Sequence, residues 1–286
     1  MVLPASIDDA TVHKIQQAVK WTVYILLIIN FVFYFIEDAR RAAYTLHSGS
    51  TFLDLTGAFA TTIDESAWFI LLAMFEMETY IFDDDKLKGW LGKVLHGARL
   101  ICILMIAHTV YAFVTVVTDL QPTVAVENVT SLCELNGEGL SYVYNLEYTD
   151  INTDTCGTLS SASEFYRVGI DPVVSDIGGL NLERDLALAD LMEAVLWVLV
   201  LGSIEIAVRL QGRGITNGGL ITAAKYSTVF IYASLIGIGI YWATLSHWLY
   251  LWDELVWIGG FAAIGMNLSE WREEIQERQA TTEEQA

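Results

Sequence analysis

Positive charge is scarce in this chain. Fifteen Lys and Arg stand against thirty-five Asp and Glu in 286 residues, a formal net charge of −20 at pH 7. Proteins that hold nucleic acid or anionic headgroups do so with basic patches. Neither is expected here as the main task, and no nucleic-acid partner is assigned. A salt-loving habitat accounts for the acidity equally well. Charge of either sign is sparse too, at 17% of residues against roughly 25% in ordinary soluble domains.

Reactive groups are equally thin. The five His (His13, His47, His96, His108 and His247) are far apart in sequence, which argues against an HExxH zinc site and against bis-histidine haem. No metal or cofactor is expected. The three Cys form no CxxC pair, and no Ser nucleophile elbow is present. The chain is therefore not expected to be an enzyme. The segment 209–225, RLQGRGITNGGLITAAK, lacks phosphate-loop spacing and follows no strand, so it reads as a flexible connector. No TVGYG-like filter occurs. Arg209 is the sole basic residue of the fourth apolar stretch, where a voltage sensor needs several in register. No internal repeat supports an inverted-repeat transporter.

Apolar length is abundant: 54% of residues are hydrophobic. Six stretches, at 17–37, 66–83, 98–118, 186–209, 225–249 and 254–272, approach the ~20 residues that cross a ~30 Å hydrocarbon core. Backbone groups in lipid must be satisfied within their own segment, so these stretches should be helices. The second and sixth are shorter and carry polar residues. The expected fold is an all-α integral membrane protein, a bundle of six transmembrane helices. Its parts are residues 1–118 (helices 1–3), an acidic loop domain at 119–185, helices 4–6 at 186–272 and an acidic tail at 273–286. Ser6 with Asp9 has the spacing of a capping box before the first span, which is read as a retained anchor.

Orientation follows Lys and Arg in short loops. With the N-terminus inside, eleven of the fifteen basic residues lie inside, and Arg40, Arg41, Arg167 and Arg184 lie outside. Both termini are then cytoplasmic, in a plasma membrane or a bacterial inner membrane. Arg40 and Arg41 follow Glu37 and Asp38 at helical spacing and are expected to pair locally. Cys133 and Cys156 fall in the loop that this topology exports, and an oxidising exterior favours a disulfide between them. That loop also holds SYVYNLEY, read as one strand, and the glycosylation sequon Asn128-Val129-Thr130. Its eleven acidic residues against two Arg between 119 and 184 either focus cations at a pore mouth or form a solvated, repulsive surface. Trp68, Trp248, Trp252 and Trp257 on one side and Trp21, Trp90 and Trp271 on the other read as interfacial belts.

Ionisable groups within spans are functional candidates because each costs roughly 2.5–3.5 kcal/mol to insert. Glu76 and His108 are each about ten residues from a span end, and Glu193 and Glu205 sit in the fourth span. If spans 2 and 3 pack together, Glu76 and His108 meet at mid-membrane as a proton relay. Polar residues continue the track: Asn30 on span 1, Tyr111 and Thr115 on span 3, with Asp83 and Asp119 near the mouths. The competing explanation is interhelical hydrogen bonding. Glu205 and Arg209, at i and i+4, read as a structural ion pair. Ala233 with Gly237 and Gly259 with Ala263 are small-xxx-small pairs that permit close packing, within one chain or in a homo-oligomer. The leading expectation is a proton or small-cation channel or transporter whose flux is abolished by neutralising Glu76. The alternative is a non-catalytic membrane subunit or scaffold that binds partners through its acidic domain.

Overall fold

The computed structural model describes residues 9–77, 89–212 and 218–261. Helices dominate it. α1 (Asp9–Thr45), α2 (Phe52–Ala58), α3 (Ala60–Glu76) and α4 (Trp90–Asp119) precede one small sheet; α5 (Ile177–Gly212), α6 (Gly219–Thr244) and α7 (248–261) follow it. Four of the described helices are long and apolar enough to cross a membrane, or five if α2 and α3 form one bent span. Long apolar helices of this kind mark a membrane-embedded protein. The expected Ser6 cap, Asp83, residues 262–272 of the sixth span and the acidic tail lie outside the described residues.

The second span differs from its expected bounds. Its helix begins at Ala60 rather than 66, and a 70° bend separates it from α2. Asp64 and Glu65 push the hydropathy onset downstream, yet both belong to the helix and turn toward protein: Glu65 is buried and Asp64 accepts a 3.0 Å hydrogen bond from Trp68 Nε1. α2 begins at a capping box, with Asp54 N–H donating to the Thr51 hydroxyl and Thr51 N–H to the Asp54 carboxylate. α4 and α5, of 30 and 36 residues, are ~45 and ~54 Å long at 1.5 Å per residue, more than a bilayer core requires.

The chain divides into two compact units, residues 33–195 and residues 1–32 with 196–286. In the first, α3 packs alongside α4. Leu95, Cys102, Ile106, Thr109 and Ala112 form the buried stripe of α4 at helical spacing. Residues between α4 and α5 build a five-stranded sheet of order β1-β4-β5-β2-β3, with β1 (Val124–Ala125), β2 (Ser141–Tyr144), β3 (Glu147–Asp150), β4 (Tyr166–Arg167) and β5 (Val173–Ser175). β2 and β5 run parallel; the other neighbours are antiparallel.

SYVYNLEY is therefore a hairpin, not one strand. Asn145 and Leu146 take φ of 57° and 62°, the paired positive φ of a type I′ turn. Such a φ is strained for Leu, and the Leu146 N–H is held by Glu183 Oε1 at 3.0 Å. The Cys133–Cys156 disulfide, Cα–Cα 4.9 Å, ties a 3-10 turn to the loop after β3. Cys156 is buried in a core with Leu132, Leu135, Tyr142, Phe165 and Val174. A second core joins Val143 and Val173 of the sheet to Leu120, Leu180 and Ala187 at the ends of α4 and α5.

α5 starts where Asp176 stops the sheet. Its carboxylate accepts from Gly179 N–H (2.9 Å), the Tyr142 hydroxyl (2.9 Å) and the Ser160 hydroxyl (2.6 Å). Burial opposes ionisation of Asp176, but these donors outweigh it and hold the carboxyl below its usual range. The Tyr142 hydroxyl moves the other way, pushed up to about 12 by burial and then by its bond to Asp176. A Cβ at Gly179 would collide with the Ser175 hydroxyl, so glycine lets the two approach at this junction.

In the second unit α7 packs on α6 through Gly239, where an added Cβ would lie 3.2 Å from the Leu251 backbone. The small pair Ala233 and Gly237 is exposed in the single chain, so it does not serve packing within it. Gly259 is also exposed, and Ala263 lies outside the described residues. Two of the expected belt tryptophans are inside: Trp68 and Trp257 are buried, in the first and second unit respectively, whereas Trp21, Trp90 and Trp248 are exposed.

Candidate functional site

The register of α3 against α4 decides which polar groups meet. The Thr109 hydroxyl lies 3.2 Å from the Ala60 carbonyl and 3.2 Å from the Met105 carbonyl of its own helix, and it acts on the Asp64 carboxyl. His108 is therefore level with the start of α3. Glu76 is the last residue of that helix, sixteen residues on and ~24 Å along its axis. The Glu76 side chain, and with it the expected Glu76–His108 pair, lies outside what the structure describes. The apolar window that centred Glu76 in the span started six residues late, so the backbone of Glu76 stands at the helix end, and Asp64 is the carboxylate of α3 at the level of Thr109. His108 is half-buried, and its Nε2 has no hydrogen-bond partner among the described residues. Its ring lies 6.4 Å from that of Tyr111.

Above Asp64, counting toward the disulfide domain, comes Asp38 of α1. Its carboxylate accepts from the backbone N–H (2.9 Å) and hydroxyl (2.7 Å) of Thr62. Phe59, which precedes α3, offers no capping side chain, so a carboxylate from another helix satisfies the first turn and meets the positive end of its dipole. Asp38 thus has a structural task whatever else it does.

One turn further along α1 lies Arg41. Its charge acts on Asp38, Glu183 and Asp190 and reaches Tyr148 and Asp171 of the disulfide domain. Asp190 projects from α5 into the field of Arg41, Glu37, Asp38 and Glu183. The top of the set is fixed by Arg184, whose guanidinium donates to the carbonyls of Leu120 (2.7 Å), Gln121 (2.9 Å) and Pro122 (3.3 Å), to Thr123 Oγ1 (2.8 Å) and to Asn181 Oδ1 (3.0 Å). From the Arg184–Leu120 level, Asp190 is six residues or ~9 Å down α5, and Thr109 with Asp64 is eleven residues or ~16 Å down α4. The carboxylates descend in steps from the edge of the disulfide domain over ~16 Å of helix.

Asp171 stands at the upper edge of this series. Burial pushes its carboxyl up to about 6; His47 and Arg41 pull against that, while Asp119 and Asp54 add to it. Burial likewise pushes the Tyr148 hydroxyl up to about 12. Tyr148 stacks on Tyr44 of α1 at 5.5 Å, tying the hairpin to that helix.

The remaining expected pathway residues scatter. Tyr111 is 56% exposed, and Thr115 spends its hydroxyl on the Tyr111 carbonyl, 3.0 Å away in the same helix. Asp119 closes α4 and joins the charges around Asp171. Glu193 is half-buried on α5. Asn30 belongs to the second unit, where its amide donates to Asp253 Oδ1 at 2.7 Å, both residues being buried. In that unit Glu254, also buried, accepts from Trp197 Nε1 at 3.2 Å. Arg209 meets Glu205 at 2.6 Å, but on an exposed surface, where such a pair contributes ~0.3–0.5 kcal/mol.

Sequence reasoning passed over Asp38, Asp64 and Glu65 as loop groups, and Asp253 and Glu254 as edge residues. A usable signal was present for one of them: Trp68 lies one helical turn from Asp64 and becomes its donor, whereas the donors to Asp38, Asp253 and Glu254 come from other helices. Among the described residues, no group of three or more His, Cys, Asp or Glu is arranged to hold a metal ion. No protein family, curated protein or solved structure matches this chain.

Proposed function

We propose that this membrane protein moves protons, or a small cation, along the stepped carboxylates of its first unit, from Asp171 and Asp190 beside Arg41 to Asp38, Asp64 and His108. The observation that carries the reading is the placement of Asp64 at Thr109, ~16 Å below the Arg184–Leu120 level. An ionisable side chain at that depth is retained at a cost of several kcal/mol unless it has a task. Carboxylates that alternate with hydroxyls and end on an imidazole form a sequence of groups able to accept and pass a proton. In this reading the disulfide domain faces the cell exterior, its acidic surface gathers cations by electrostatic focusing, and no chemical transformation takes place.

The test is flux across liposomes containing the purified chain, followed with pH- and potential-sensitive dyes. Wild type is expected to carry flux, and Asp64→Asn and Asp190→Asn to lose it while keeping their elution profile and helicity. Glu76→Gln is expected to retain it. Loss in Glu76→Gln with retention in Asp64→Asn would return the pathway to the far half of α3.

A second reading is a non-catalytic membrane subunit that binds partners through the disulfide domain. It draws on the eleven acidic residues against two Arg between 119 and 184, a surface suited to a basic partner. Absence of wild-type flux at every pH and voltage selects this reading.

A further inference from the structure

We infer that Asn128 is an acceptor for an N-linked glycan. The inference does not depend on transport; it depends on the disulfide domain facing the side of the membrane where disulfides and glycans are made. Asn128-Val129-Thr130 satisfies the N-x-S/T requirement. The structure adds what the motif alone lacks. Asn128 stands at φ 58° in an exposed turn, and its side-chain amide makes no hydrogen bond among the described residues. The turn is anchored on both sides, by Val126 N–H to the Phe165 carbonyl at 2.8 Å and by the Ser131 hydroxyl accepting from Cys133 N–H at 3.3 Å. It is therefore a presented tip on a disulfide-held frame, not part of the sheet. Thr130 is exposed, and its hydroxyl donates to Glu134 Oε1 at 2.8 Å. A surface bond of that kind is easily exchanged for one to an enzyme.

The co-substrate is an oligosaccharide carried on a polyprenyl diphosphate. Asn128 Nδ2 forms a bond to the anomeric carbon, and the bond from that carbon to the diphosphate oxygen breaks. The polyprenyl diphosphate leaves, and one amide proton passes to a base of the membrane oligosaccharyltransferase. The glycan would project from the acidic domain beside the Cys133–Cys156 bond and leave the helices uncovered.

A second match, Asn267-Leu268-Ser269, lies outside the described residues and, in the expected topology, within the sixth span near its cytoplasmic end. It serves as an internal control. The experiment is translation of the full chain with endoplasmic-reticulum microsomes, followed by alkaline extraction and glycosidase treatment. One glycosidase-sensitive shift is expected in wild type and in Asn267→Gln, and none in Asn128→Gln or Thr130→Ala. Thr130→Ser should keep part of it. Ser161→Asn, which completes a sequon with Ser163 on an exposed loop of the same domain, reports the side of the membrane separately. A shift from Ser161→Asn in the Asn128→Gln background, with none in wild type, overturns Asn128 as acceptor while keeping the orientation. A shift that disappears only in Asn267→Gln overturns both.

Discussion

Arg184 is the hinge pin between the helices and the disulfide domain, and its removal makes a quantitative prediction. Its guanidinium holds the carbonyls of Leu120, Gln121 and Pro122, which follow the last turn of α4, from a position about two turns into α5. A hydrogen bond from a charged donor contributes a net ~1.5–3 kcal/mol, and a cation at a helix C-terminus adds ~0.3–1 kcal/mol. The five contacts are not five independent terms, because three of them share Nη2. The bond to the carbonyl of buried Leu120 and one Nη2 bond, discounted for partial exposure, set the loss for Arg184→Ala at about 2–4 kcal/mol. That corresponds to a rise of about thirty- to a thousandfold in the local opening equilibrium. Arg184→Lys keeps the charge and loses the fork, so it should fall between the two. Amide hydrogen exchange in detergent, read at peptides covering 120–125 and 165–176, gives the answer directly. Unchanged protection in Arg184→Ala, or a Lys variant as protected as wild type, would refute the clamp. Loss of protection spread evenly over α3 and α4 would show global unfolding in place of domain release.

Asp171 predicts a pH dependence with a definite sign. Below about pH 4 it is protonated whether the chain is folded or not, and contributes nothing; between pH 4 and about 6 the unfolded chain ionises first, so stability falls as pH rises. Asp171→Asn should therefore stabilise the domain in denaturant titrations at pH 7.5 and leave the midpoint unchanged at pH 4; equal effects at both pH values would contradict the assignment. The disulfide closes a loop between residues 23 apart, so the double substitution Cys133→Ala with Cys156→Ala should cost about 3 kcal/mol of domain stability by chain entropy, seen as faster proteolysis within 120–176 at unchanged helicity. Gly179→Ala should destabilise the start of α5 through its clash with Ser175, and adding Ser175→Gly should recover part of the loss in the same exchange measurement.

Hydropathy and charge carried the helical membrane class, and the cysteine pair carried the domain that they staple. These are bulk signals: ~20 apolar residues or two thiols in one loop do not depend on packing detail. The hairpin was misread because its turn, Asn145-Leu146, lacks the glycine that marks most type I′ turns; a Leu at φ 62° is held there by Glu183, 37 positions away. No local rule contains that bond. The bend between α2 and α3 was hidden in the same way, since it rests on Phe59 and on a cap supplied by Asp38 from α1.

The candidate site failed to show in the sequence for one further reason. A hydropathy window treats an acidic residue as the end of a span, whereas a helix bundle can enclose it. Asp38 and Asp64 fall just outside the apolar stretches 17–37 and 66–83, and Asp190 near the start of 186–209, so none stands out as a mid-span group. Packing then reversed the meaning. Thr62 and Trp68 supply donors to two of them, and Arg41 supplies charge to the third. Residues that fall within a run, Tyr111 and Thr115, are exposed or satisfied by their own helix. Depth in the sequence and depth in the bundle are different coordinates here. The register bond from Thr109 to Ala60 converts one into the other, and a Thr109→Val substitution tests that conversion. If the bond sets the α3–α4 register, removing it should loosen Asp64 and alter flux together; flux that changes while α3 and α4 stay fully protected from exchange would separate the two.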